Sequence, residues 1–160
     1  MGRTILLDTK PLSNLLNRLA LGRFLDCDQE YYASTYDKLA QLLSEPGTRV
    51  LSTHAVATEA LYRLLDKGVD KVKMDALRRA PIGLRSGDES DLNGFGREAL
   101  PNTDFADYTL LRAWESLVKS GVRPYPITVT TDRPFQTLAT GRFQQNAYTV
   151  EDVESNPELL

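Results

Sequence analysis

Thr4-Ile5-Leu6-Leu7-Asp8-Thr9-Lys10-Pro11-Leu12 is the stretch on which the fold turns. Ile5, Leu6 and Leu7 run without polar alternation, as in a strand buried on both faces at the centre of a parallel sheet. Asp8 then stands at the carboxyl end of that strand, the edge where open α/β sheets hold ligands. Pro11 falls in the first turn of a following helix, where its missing N–H has no partner to lose. Taken alone, Asp8 is either a helix cap or one carboxylate of a site.

Outward from this stretch, strands and helices alternate. Helices are expected from Pro11 to Leu21, closed by Gly22, and from Asp26 or Asp28 to Ser44, closed by Pro46-Gly47. Arg49 to Ser52 reads as a second strand. Thr53 caps a helix from His54 to Asp66, with Val56, Ala57, Ala60, Leu61, Leu64 and Leu65 as its apolar stripe. Glu59 lies nearly opposite that stripe and forms either a solvated pair with Arg63 or part of a site. Val69 to Leu77 suits a short helix, with Lys71, Lys73, Arg78 and Arg79 in or just beyond it. Pro81 to Pro101, rich in glycine and acids, reads as an irregular loop. Asp104 then caps a strong helix to Ser120, which sets Asp107 at its third position, where an acid also suits the helix dipole. Ile127 to Thr130 is a strand, Thr131-Asp132 its end, and Arg133-Pro134 opens another helix. Ala147 to Val150 is the last strand.

This alternation predicts an α/β fold, a three-layer α/β/α sandwich with a central, mostly parallel sheet of four to five short strands. A chain of 160 residues suits one domain over 1–150, followed by an acidic tail over 151–160. Four of the 22 acidic residues and none of the 19 basic ones lie in that tail, so the body is close to neutral despite the net charge of −3. Charge therefore neither demands nor excludes a nucleic-acid substrate. No apolar run approaches the roughly 20 residues of a membrane span, and no secretory leader is expected. Cys27 is the only cysteine and His54 the only histidine, which excludes an internal disulfide and the usual zinc ligand sets. A reducing, cytoplasmic setting is expected. No Gly-rich phosphate loop follows the first strand, which argues against P-loop or Rossmann nucleotide binding.

Asp8, Glu59, Asp107 and Asp132 are separated by 51, 48 and 25 residues, so each comes from a different structural unit. In a parallel sheet all four can border one edge. Carboxylates gathered there must protonate or share a cation, and an all-oxygen site suits Mg2+ or Mn2+. Such sites serve phosphodiester hydrolysis.

Four segments resemble the PIN-domain ribonucleases, whose largest group is the toxins of VapBC-type toxin–antitoxin modules. They are ILLDTKPLSNLL around Asp8, STHAVATEALYRLL around Glu59, DFADYTLLRAWESL around Asp107 and TVTTDRPF around Asp132. The resemblance implies that Asp8, Glu59, Asp107 and Asp132 hold one or two Mg2+ or Mn2+ ions, with Asp104 as the rival of Asp107. Thr131 matches a hydroxyl residue before the last acid, and Lys10, Thr131 and Arg133 would contact substrate phosphate. The implied activity is endoribonucleolytic hydrolysis of RNA, leaving a 5′-phosphate and a 3′-hydroxyl. The implied partners are an antitoxin protein over the cleft and a second copy in a homodimer. Lys10 departs from the small polar residue usual there, which keeps a second reading open: a catalytically weak PIN-like module that binds RNA or protein.

Overall fold

The computed structural model describes residues 2–21, 32–70, 75, 78–86 and 89–160. Its frame is a five-stranded sheet, parallel throughout, in the order β3-β2-β1-β4-β5. The strands are β1 (Thr4–Leu7), β2 (Arg49–Thr53), β3 (Ile82–Arg85), β4 (Ile127–Thr130) and β5 (Asn146–Thr149). The described helices are α1 (Thr9–Leu21), α2 (Ala33–Leu42), α3 (His54–Asp66), α4 (Glu89–Glu98), α5 (Phe105–Lys119), α6 (Arg133–Arg142) and α7 (Val150–Ser155), with a 3-10 turn over Pro157–Leu159. The start of the second expected helix at Asp26 or Asp28, and most of the one expected over Val69 to Leu77, lie outside the described residues.

β1 is central, and Ile5, Leu6 and Leu7 are fully buried, as their unbroken apolar run requires. Ile82 and Leu84 of β3 line a groove with Leu12 and Leu16 of α1 and Ala57 and Leu61 of α3. Arg85, of opposite parity on the same strand, donates to the Ala113 carbonyl of α5 (3.1 Å). The α1/α3 pair and α5 therefore cover opposite faces, giving an α/β/α sandwich.

The segment from Pro81 to Pro101 corrects the sequence reading. It is not an irregular loop but strand β3 followed by helix α4. Local pattern concealed both. β3 is a short edge strand with Gly83 in it and Leu84 half exposed, so no alternation marks it. α4 carries Gly94 and Gly96, which weaken a helix, yet Gly94 is fixed by packing: a Cβ there would strike the Tyr108 hydroxyl. Residues 151–160 are built onto the body. Thr149 opens α7 with a reciprocal capping box to Asp152, and Val153 and Leu160 are buried. Glu154 accepts from the Thr35 backbone N–H (3.0 Å) and hydroxyl (2.6 Å) at the start of α2.

Candidate functional site

Strand order makes the site. From β1 the chain runs outward to β2 and β3, then returns to lay β4 on the other flank of β1. The gap between the carboxyl ends of β1 and β4 is thus a topological switch point, the usual ligand crevice of open α/β sheets. Asp8 and Asp132 stand at those two ends.

Register adds detail. Thr53 pairs with Arg85 and Thr130 with Thr149, while Leu6 pairs with Leu51 and Leu7 with Val129. Continued to the carboxyl edge, these ladders put Arg85, Thr53, Asp8, Thr130 and Thr149 in one row across all five strands. Residues in such a row point to one face. Here it is the face covered by α5, since Thr53 shares a hydroxyl–hydroxyl bond with Thr109 (2.7 Å) and Arg85 reaches Ala113.

Asp8 is only 6% exposed. Its Oδ1 accepts from the Thr9 N–H (2.7 Å) and its Oδ2 from the Thr130 hydroxyl (2.7 Å), which fixes the carboxylate plane. The Thr130 oxygen in turn accepts from the Asp132 N–H (3.0 Å). Asp132 caps α6 through the Phe135 N–H (3.1 Å), and Asp104 caps α5 through the Asp107 N–H (2.8 Å). Asp104 is therefore both the cap expected from the sequence and a member of the acidic group.

Proximity shows in the titration of the two more buried acids. Burial lifts Asp8 from the ordinary 3.8 to about 6, aided by the charges of Asp132 and Asp104 and opposed by the Thr130 and Thr9 hydrogen bonds. Burial likewise lifts Asp107 to about 8, with the charges of Asp8, Asp104 and Asp132 adding to it and a hydrogen bond from the Asp104 backbone to the Asp107 carboxylate opposing. The structure thus brings Asp8, Asp104, Asp107 and Asp132 within electrostatic reach of one another. Glu59, on the exposed side of α3, is linked to Asp8 through Thr9, whose hydroxyl donates to Glu59 Oε2 (2.8 Å) while its N–H donates to Asp8 Oδ1 (2.7 Å).

Among the other expected contacts, Lys10 lies half-buried in the first turn of α1 and Thr131 is exposed just past β4. Arg133 is engaged by the C-terminal segment, with Glu151 at 3.4 Å and Asp152 at 3.1 Å. The hydroxyl bonded to Asp8 belongs to Thr130, which sequence reading treated as strand. Its position two residues before Asp132 was the available signal, since alternation sets Thr130 and Thr131 on opposite faces.

Among the described residues, no group of three or more His, Cys, Asp and Glu side chains stands ready to hold a metal ion. The chemistry of the donor set nevertheless fits a hard divalent cation: the donors are all oxygen, and burial together with neighbouring carboxylates makes two of them costly to ionise without a cation. No described helix is long and apolar enough to cross a membrane. Comparison of the chain with protein-family models, curated proteins and solved structures finds no match.

Proposed function

We propose that this chain is a metal-dependent endoribonuclease of PIN-like type. The observation behind this reading is the crowding of Asp8, Asp104, Asp107 and Asp132 at the β1/β4 switch point, with Asp8 and Asp107 pushed up to about 6 and 8. Helix capping accounts for Asp104 and Asp132 but not for Asp8 and Asp107 crowded beside them, because each acid raises the cost of ionising the next. A ligand of opposite charge does.

Asp8, Asp107, Asp132 and either Asp104 or Glu59 would hold Mg2+ or Mn2+. Such an ion, when bound, supplies charge neutralisation for a phosphodiester and acidifies water. The chain's own part is orientation and proton handling. Thr9 and Thr130 hold Asp8 in a single pose, and Thr130 ties that pose to the backbone of Asp132. Asp107, lifted to about 8 by burial and by its acidic neighbours, would give up its proton as positive charge arrives and serve as a ligand. Lys10, Thr131 and Arg133 border the same edge as candidate phosphate contacts. In this reading an antitoxin would cover the edge, and the chain would pair as a homodimer.

A second reading, a non-catalytic PIN-like module for RNA or protein, draws on Lys10, a cation half-buried in the first turn of α1 two residues after Asp8. One assay separates the two. Purified protein is incubated with labelled single-stranded RNA and Mn2+ or Mg2+, beside Asp8→Asn and Asp132→Asn. The nuclease reading expects cleavage that EDTA stops and that each variant loses by at least about a hundredfold. Binding without cleavage, or cleavage indifferent to EDTA and to both variants, supports the second reading or rejects the first.

A further inference from the structure

Beside the acidic group, on the same face and edge, lies a polar cavity of about 250 Å3. It is lined by Arg85 together with the hydroxyls of Thr53, Ser86, Ser90, Thr109 and Ser116. Its volume falls below that of a typical small-molecule pocket, which suits one group of a larger ligand. The hydrogen-bonded pair Thr53–Thr109 forms the wall towards Asp8. By register Arg85 lies two strands from Asp8, a backbone separation of about 10 Å.

The two guanidinium groups at this cavity differ. Arg112 is held between Asp91 (3.5 Å) and Glu115 (3.0 Å), so its charge and that of the lining Asp91 are spent on each other. Arg85 has no carboxylate partner among the described residues. It is half-buried and gives one N–H to the Ala113 carbonyl, from a group with five to give. A guanidinium held by a backbone carbonyl, with no carboxylate partner among the described residues and ringed by hydroxyls, matches the oxygens of a phosphate group.

We propose that the Arg85 cavity is a phosphate-binding subsite; resting on the nuclease reading, it takes a backbone phosphate of the RNA strand whose scissile bond lies at Asp8. Arg85 carries the charge recognition, and the serine and threonine hydroxyls orient the anion. The strand then runs along the sheet's carboxyl edge from β1 towards β3.

Two variants and two probes test it. Arg85→Gln removes the charge. Ser90→Asp puts a negative charge into the cavity at the start of α4, where an acid favours the helix dipole and the fold is kept. Anisotropy with fluorescein-labelled RNA of about ten nucleotides, in EDTA, measures the polynucleotide. The Arg85 Nε–H NMR signal, titrated with adenosine 5′-monophosphate, measures a free phosphomonoester. The expected result is that each variant weakens RNA binding about tenfold at unchanged melting temperature, that the salt slope of Arg85→Gln falls by about one, and that the Arg85 signal moves with the monophosphate. Wild-type RNA affinity in both variants overturns the subsite and leaves the nuclease reading standing. A signal that moves while RNA fails to bind keeps the subsite, as a phosphomonoester site, and overturns the nuclease reading. A still signal with no RNA binding overturns both.

Discussion

The middle of one register row and its β3 end make opposite electrostatic choices. At the β1/β4 switch point, Asp8 is buried among Asp104, Asp107 and Asp132, and the charges acting most strongly on it and on Asp107 are other carboxylates. At the β2/β3 end, Arg85 sits in a hydroxyl-lined cavity without a carboxylate partner among the described residues. A fold arranged for stability alone would set these charges against each other. Instead Thr53 and Thr109 hold them apart. Separated charges of both signs on one edge suit a ligand that brings a cation to one region and an anion to the other. Arg133 and Arg112 show the ordinary alternative, since each is paired with two acids.

The largest effect expected at the acidic group is a stability that falls as pH rises. Between the ordinary 3.8 and about 6 for Asp8, or about 8 for Asp107, the folded chain binds more protons than the unfolded one. The favourable contribution is thus complete below 3.8 and lost through those values. For Asp8 alone this amounts to roughly 3 kcal/mol. Asp152 and Glu154 act in the opposite sense at lower pH. Despite partial burial, hydrogen bonds from Thr149, Gln136, Ser34 and Thr35 and the charge of Arg133 hold them below the ordinary range. Thermal melts from pH 4 to 9 check the falling limb, and Asp8→Asn with Asp107→Asn should flatten it. A flat wild-type curve would break the contrast between the two regions.

Next in size is the response to a cation. At pH 8 and a hundredfold excess over its Kd, Mn2+ should add about 2.7 kcal/mol, a rise of roughly 5–10 °C in Tm. Asp8→Asn should lose this gain and Arg85→Gln should keep it. Thr130→Val should then cost about 1–3 kcal/mol by urea melts, because Asp8 Oδ2 and the Asp132 N–H lose their shared partner. RNA cleavage should drop with it. Smallest is Arg133→Ala, expected to leave the melting temperature unchanged, since its ion pairs are exposed. A marked loss of RNA affinity in that variant would make Arg133 a substrate contact and extend the basic ground beyond Arg85.

Much of this was legible in the chain, and the reasons are local. The apolar run Ile5–Leu7, the caps at Thr53 and Asp104, and the stripe of α5 follow from periodicity and capping chemistry within a few residues. They suffice to set Asp8 and Asp132 at strand ends and Asp107 in a first turn. What escaped depends on distant partners. β3 exists because β2 offers it a ladder, and α4 keeps Gly94 because Tyr108 packs against it. Thr130 matters through a residue 122 positions away.

The sequence alone determined the alternation of elements and the acids at their ends, because propensity, capping and hydrophobic period act between neighbours. Only the tertiary structure decided which acids crowd together, that Thr9 links Glu59 to Asp8, and that Arg85 shares the row of Asp8. Strand order and register set those distances, and both arise from pairings between segments far apart in the chain.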